Sequence, residues 1–172
     1  ITGAGGGLGV HAIQIASRLG ARTIAVTSSE GKMSNILELG ADDVVPVGDL
    51  DFSEIVRALT GEHGSDLIVD TVGAAMFKGS IRSLAQYGRM VLLGEVGGEN
   101  IDINLAELVF KDAKIMGSRG VTIEYLEQAH NMVVGKEIDP VIHATLPMKD
   151  VYIGMGWMRE RKIFGRVVIL PN

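Results

Sequence analysis

The run Gly3-Ala4-Gly5-Gly6-Gly7-Leu8-Gly9 is where the amino-acid sequence first offers chemistry. Glycines between the end of a strand and the start of a helix let backbone approach a pyrophosphate. Its charge then rests on the unsatisfied N–H groups and the positive dipole end of that helix. Ile1 and Thr2 read as the end of such a strand, and Leu8, Ala12, Ile15, Ala16 and Leu19 recur behind the turn at helical spacing until Gly20 stops them. On a Gly-x-Gly-x-x-Gly spacing the three positions are Ala4, Gly6 and Gly9, an irregular match. A tight turn that merely packs a helix closely on a sheet would use the same glycines; the strand before and the helix after favour dinucleotide binding. Because such a turn normally follows a full strand of about five residues, the chain is expected to begin inside a strand, with a region before it.

Other catalytic constellations are missing from the sequence. There is no cysteine, which removes disulfides, thiolate zinc sites and thiol nucleophiles and fits a reducing compartment, so a cytoplasmic location is expected. His11, His63, His130 and His143 lie far apart and lack the paired spacing of a zinc site. They read as surface or helix-face residues, with His11 alone on the first turn after the glycines, where it could approach a phosphate. No Gly-x-Ser-x-Gly elbow occurs. Met132, Met148, Met155, Met158 and Trp157 read as core or domain-contact residues. With 16 lysines and arginines against 21 acidic residues the net charge is −5, and the basic residues are scattered. Neither nucleic acid nor an anionic membrane is therefore an expected partner, and no apolar run reaches the roughly 18 residues a membrane span needs.

The elements that must carry the glycine turn alternate along the 172 residues. Strands are predicted over 22–27, 43–47, 67–70 and 89–93, with helices over 32–39, 52–60 and 75–84 between them. Near-continuous apolar strands alternating with amphipathic helices predict an α/β doubly wound fold, a parallel sheet covered on both faces. After Gly94 the pattern loosens and predicts a loop over 97–100, a short strand over 101–103, a helix over 105–110, a strand over 114–117 and a helix over 122–134. Strands over 141–144 and 166–170 follow, with one helix over 146–161 between them, although Gly154 and Gly156 each cost about 1 kcal/mol in its interior. A soft boundary falls near Gly117.

Two families write the glycine turn almost identically. Thr2-Gly3-Ala4-Gly5-Gly6-Gly7-Leu8-Gly9 fits the short-chain dehydrogenases, whose chemistry needs Tyr-x-x-x-Lys on one helix face. Tyr87, Tyr125 and Tyr152 are followed four residues later by Val91, Ala129 and Gly156, so none carries the lysine that would activate a tyrosine. The chain instead resembles the medium-chain dehydrogenase/reductase superfamily, in its quinone oxidoreductase-like branch. The resemblance rests on Ala4-Gly5-Gly6-Gly7-Leu8-Gly9, on Leu39-Gly40-Ala41-Asp42, and on the strand and turn Gly64-Ser65-Asp66-Leu67-Ile68-Val69-Asp70-Thr71-Val72-Gly73. Gly88-Arg89-Met90-Val91-Leu92-Leu93-Gly94 and the closing Gly165-Arg166-Val167-Val168-Ile169 complete it in register.

The resemblance implies a Rossmann dinucleotide-binding domain over 1–117, its first strand truncated, and a segment over 118–172 that returns toward a GroES-like catalytic domain. It implies a cofactor site made by Ala4, Gly6, Gly7, Leu8 and Gly9 at the pyrophosphate and by Thr71, Val72, Leu93, Gly94, Glu95, Met116 and Gly117 around the nicotinamide. Leu93, Gly94 and Glu95 would present backbone groups to the carboxamide, and Arg166 would reach the pyrophosphate; Leu93 and Met116 as core and Arg166 as a surface charge are the bland readings. An acidic residue ending the second strand would accept from both ribose hydroxyls. Thr27 stands there, followed by Ser28, Ser29 and Lys32, which favours NADP over NAD; Glu30 is the residue that could reverse this. Capping by Ser28 and Ser29 and a solvated face for Lys32 are compatible with that role. Asp70 is expected to hold the neighbouring turn rather than to do acid–base work. The implied function is NADPH-dependent transfer of a hydride to a quinone or to the activated C=C of an enone or enoyl thioester. The alternatives are a zinc alcohol dehydrogenase, with its ligands in the region before the chain, and a non-enzymatic NADPH-binding or structural protein. Expected partners are a small-molecule substrate and a second copy of the chain, joined through the sheet edge at 114–117.

Overall fold

The computed structural model describes residues 1–48 and 51–171. Behind the glycine turn, α1 (Gly9–Arg18) buries Val10 and Ile13. The chain then alternates through β1 (Ile24–Thr27), a 3-10 turn (Glu30–Lys32), α2 (Met33–Glu38), β2 (Asp43–Pro46), α3 (Phe52–Leu59), β3 (Ser65–Asp70), α4 (Ala74–Ser83), β4 (Leu84–Leu92), α5 (Leu105–Lys111) and β5 (Lys114–Gly117). Local chemistry sets several of these bounds. Asp51 accepts from Ser53 N at the head of α3, and Asn104 from Ala106 N at the head of α5, each satisfying an orphan helix donor. In the Leu39-Gly40-Ala41-Asp42 turn, Asp42 accepts from Thr23 N at 2.7 Å and so ties the entry of β2 to that of β1.

Every strand pair is parallel, with β1 on β2, and β3 on β4 on β5. Residues 1–4 join the two groups. Thr2 bridges Val26, Val26 N donates to Ile1 O at 2.8 Å, and Thr2 N donates to Val69 O at 3.0 Å. The spatial order is therefore β2, β1, the segment 1–4, β3, β4, β5, a doubly wound sheet whose direction of winding reverses at the glycine turn. Adjacent residues of β1 show both faces covered. Ala25 packs with Ile13 and Ile36 of α1 and α2, while Val26 packs with Val45, Phe52 and Val56 on the α3 side. A third cluster, Ile68, Phe77, Ile81, Leu84 and Met90, seats α4 on β3 and β4.

The C-terminal part is built differently. α6 (Ile123–Val134), capped by Thr122, buries none of its residues. β6 (Ile142–Pro147) and β7 (Arg166–Leu170) form a separate parallel pair linked by a 3-10 turn (Met148–Asp150) and α7 (Val151–Arg159). Gly6 bridges Gly165, and Gly165 N donates to Gly5 O at 3.1 Å, so this pair is fastened to the glycine turn.

Three expectations need correction. Residues 101–103 form no strand; Ile101 and Ile103 alternate with Asp102, but no neighbouring strand pairs with them, and the stretch leads into the Asn104 cap. Residues 146–161 are not one helix, because Leu146 and Pro147 end β6 and the α-helix starts only at Val151. Gly154 is buried where α7 crosses Leu146 and Val167. β4 begins at Leu84 instead of Arg89, since Leu84 pairs with Ser65 before the register shifts and Arg89 resumes opposite Leu67.

Candidate functional site

The glycine turn is shaped by close approach. Gly6 N donates to Gly3 O at 2.9 Å and Val10 N to Gly6 O at 3.1 Å. A Cβ on Gly9 would collide with Gly3 O and stand 2.7 Å from Ala4 Cα, so only glycine lets α1 begin against the strand end. Unlike α3, α5 and α6, α1 has no side-chain cap: Leu8 occupies the N-cap and the first turn carries no acid. Apart from Val10 N, its first-turn donors and its positive dipole end are left for an anion from elsewhere. Arg166 lies against the same turn, its Cγ and Cζ 2.9 Å from where a Cβ on Gly7 would stand. His11 is not presented toward the turn's outer side; its Nδ1 sits 2.8 Å from Gly7 O.

At the carboxyl end of β1, Thr27 is buried and its Oγ1 accepts from Ser29 N at 3.2 Å, while Ser28 and Glu30 are exposed. Lys32 has a partner that its spacing did not reveal. Its Nζ donates to Arg161 O at 2.7 Å and Ile163 O at 2.6 Å, and its stem crosses Gly5. Burial pushes its pKa below the ordinary lysine value. An ammonium has three donors, so one is left after these two bonds.

At the carboxyl ends of β3, β4 and β5 a cleft of about 510 Å³ opens between Gly73, Ala74 and Phe77 on one side and Leu92, Leu93, Gly94, Glu95, Ile101, Gly117, Ser118 and Arg119 on the others. Asp70 holds the turn that follows β3. Its Oδ1 accepts from Thr2 Oγ1 and Val72 N at 2.8 Å and from Gly73 N at 2.9 Å, and the residue is fully buried. Thr71 Oγ1 donates to Thr2 O at 2.9 Å, which sets Thr71 and Val72 directly beside Gly3. Asp70 thus holds the turn, as its position suggested, and is sealed from any reacting group.

The expected residues stand in three neighbouring places. Ala4, Gly6, Gly7, Leu8 and Gly9 form the uncapped start of α1 with Arg166 against Gly7; Thr27, Ser28, Ser29 and Lys32 follow β1, the Lys32 stem lying against Gly5; Thr71 and Val72 stand against Gly3; and Leu93, Gly94, Glu95 and Gly117 line the cleft at the ends of β3–β5. Met116 is 43% exposed on the sheet face rather than in a core. The side chain of Glu95, and Phe77, Ile101 and Arg119, were not legible as site residues, because tertiary folding alone brings them there. Among the described residues no cluster of His, Asp or Glu could hold a metal ion. No helix among them is long and apolar enough to cross a membrane.

Residues 7–135 match the family model of the zinc-binding dehydrogenases, and the chain belongs to that family, the Rossmann part of the medium-chain dehydrogenases/reductases. It is 36% identical over 172 residues to acryloyl-coenzyme A reductase of Sulfurisphaera tokodaii, covering 99% of this chain and 50% of that protein. It is 27% identical over 160 residues to human quinone oxidoreductase, covering 88% of this chain and 47% of that one. The solved structure of mycobacterial Rv1454c complexed with NADPH superposes with a TM-score of 0.86 at 26% identity, over 99% of this chain and 55% of that chain. The chain spans about half the length of the curated relatives it matches.

Proposed function

We propose that the chain is the cofactor-binding half of an NADPH-dependent oxidoreductase whose acceptor is a quinone or the activated C=C of an enone or enoyl thioester. The observation that carries this is the uncapped end of α1 with Arg166 beside it, joined through the contact of Gly3 with Thr71 and Val72 to the turn that borders the cleft at the ends of β3–β5. A dinucleotide phosphate fits these residues. NADPH supplies the hydride, from the nicotinamide. The residues of this chain bind and orient: the Gly6–Gly9 backbone and Arg166 take the pyrophosphate, and Ser28, Ser29 and the third donor of Lys32 take the 2′-phosphate. Thr71, Val72, Leu93, Gly94 and Glu95 bound the nicotinamide, with Gly117 and Met116 alongside. Holding the donor ring in one place lowers the entropic cost of reaching the transition state.

Residues 1–117 are read as the dinucleotide-binding unit and 118–172 as the segment that meets a catalytic domain. Support comes from the bare apolar surface: α6 buries nothing, and Ile153 and Met158 of α7 stand exposed, as domain-contact residues would. The same reading joins two copies through β5, which pairs with β4 on one side and with no described strand on the other. Calorimetric titration of the protein with NADPH and NADH tests the cofactor assignment. Tighter binding of NADPH supports it; binding of neither by the folded protein refutes it.

A further inference from the structure

The loop that leaves β4 is fastened by one side chain. Glu95 Oε2 accepts from Ala74 N at 2.7 Å, while its Oε1 accepts from Gly97 N at 2.8 Å and Gly98 N at 3.0 Å. Ala74 is the first residue of α4, so the carboxylate rests at the positive end of that helix. The neighbouring donors, Val72 N and Gly73 N, are already taken by Asp70. Between the two carboxylates Gly73 adopts φ +90°, and a Cβ there would collide with Glu95 Oε2. Two backbone bonds run beside this contact, Leu93 N to Asp70 O at 2.8 Å and Val96 N to Val72 O at 3.0 Å. The loop therefore lies flat on the turn after β3, with Leu93, Gly94 and Glu95 facing the cleft.

We propose that Glu95 is a positioning residue for the nicotinamide half of the cofactor, its carboxylate presetting Leu93 and Gly94 as the wall against which that ring is held. The inference rests on the reading that NADPH occupies this site. Hydrogen bonds to an ionised acceptor are about twice as strong as neutral ones, and a wall formed before binding spares the ligand the cost of ordering it. The donors, Ala74 N first and Gly97 N and Gly98 N after it, hold the Glu95 carboxyl below the usual glutamate range, so the clamp is charged at neutral pH.

The test compares NADPH and NADH with 2′,5′-ADP, which has the phosphate end of NADPH and no nicotinamide, by calorimetric titration of the protein. Glu95→Ala is expected to weaken NADPH and NADH alike, by about tenfold, and to leave 2′,5′-ADP unchanged. Glu95→Gln, whose single amide oxygen replaces two acceptors, should fall between. Unchanged NADPH binding in Glu95→Ala overturns the inference. So does an equal loss for 2′,5′-ADP, which would make Glu95 a residue of the fold alone. If Glu95→Ala fails to fold, the same comparison in Glu95→Gln decides. Wild-type protein that binds 2′,5′-ADP but not NADPH refutes this inference while leaving the phosphate end of the site standing; wild-type protein that binds neither refutes the proposed function as well.

Discussion

Thr2 Oγ1 donates to Asp70 Oδ1 at 2.8 Å across 68 residues of sequence, in a fully buried contact. The strand end before the glycine turn and the turn after β3 are thereby one hydrogen-bonded unit. Thr71 closes it from the other side, its N donating to Thr2 Oγ1 and its Oγ1 to Thr2 O. The two turns cannot drift apart without breaking bonds in the driest part of the sheet.

Removing Asp70 exposes that dependence. Asp70→Ala leaves Val72 N, Gly73 N and the Thr2 hydroxyl short of an acceptor, and each unpaired buried donor costs about 1–3 kcal/mol. Urea unfolding should show a loss of about 3 kcal/mol or more, with Asp70→Asn losing about half as much because it keeps one acceptor oxygen. A loss within about 0.5 kcal/mol of zero for Asp70→Ala would contradict the buried network.

The glycine turn makes a steric prediction. Gly9→Ala drives a Cβ into Gly3 O and the Ala4 backbone, neither of which can swing aside. Overpacking of this kind costs about 1–3 kcal/mol, and the displaced turn should bind NADPH more than about tenfold more weakly. Denaturant melts and titration of the same variant check both effects together.

Lys32→Ala removes the ammonium that lies on Arg161 O and Ile163 O. Affinity for NADPH is expected to fall by about tenfold while affinity for NADH changes by less than about twofold, the difference expected for one charge-assisted contact to the 2′-phosphate. Equal losses for both cofactors would make Lys32 a staple and nothing more.

The open edge of β5 predicts a dimer. Sedimentation of the wild-type protein should give twice the monomer mass, and Met116→Lys, which sets two like charges across the two-fold axis, should shift it toward monomer. Monomeric wild-type protein rules the arrangement out.

Acid should act through Glu95. A carboxyl with a lowered folded-state pKa contributes fully above its ordinary range, and the contribution disappears as pH falls through the lowered value. Affinity for NAD, which has no 2′-phosphate to titrate, is expected to stay flat from neutral pH down to the ordinary glutamate range and to drop below it. In Glu95→Gln that acid limb should be absent, and its persistence would assign the drop to another group.

Local pattern carried the parallel sheet because β1 and the central parts of β2, β3 and β4 are apolar runs and the helices between them keep their stripes; it missed the first half of β4, where Gln86, Tyr87 and Gly88 interrupt the run. It failed at Ile101-Asp102-Ile103, where alternation imitates a strand but no partner exists to form a ladder. It failed again at Leu146 and Pro147, which belong to β6 because β7, arriving about twenty residues later, pairs with them. The glycine turn was legible for the opposite reason: its geometry is set by residues in contact along the chain. The carbonyls that hold Lys32 lie 129 and 131 residues away, and the Glu95 contact to Ala74 spans 21. Spacing cannot encode such pairs, so Lys32 reads from sequence as a surface lysine or a phosphate ligand, and Glu95 as a piece of backbone.

The bond from Gly165 N to Gly5 O, with Gly6 bridged to Gly165, makes the last strand a lever with its fulcrum on the glycine turn. Force applied along β7 is delivered to the peptide planes of Gly5 and Gly6, with no flexible side chain in between to absorb it. A pull of one ångström on the C-terminal pair would stretch that bond past its useful length or carry the turn along. Displacement of the C-terminal pair is thus coupled, through main chain alone, to the peptide planes at the head of α1.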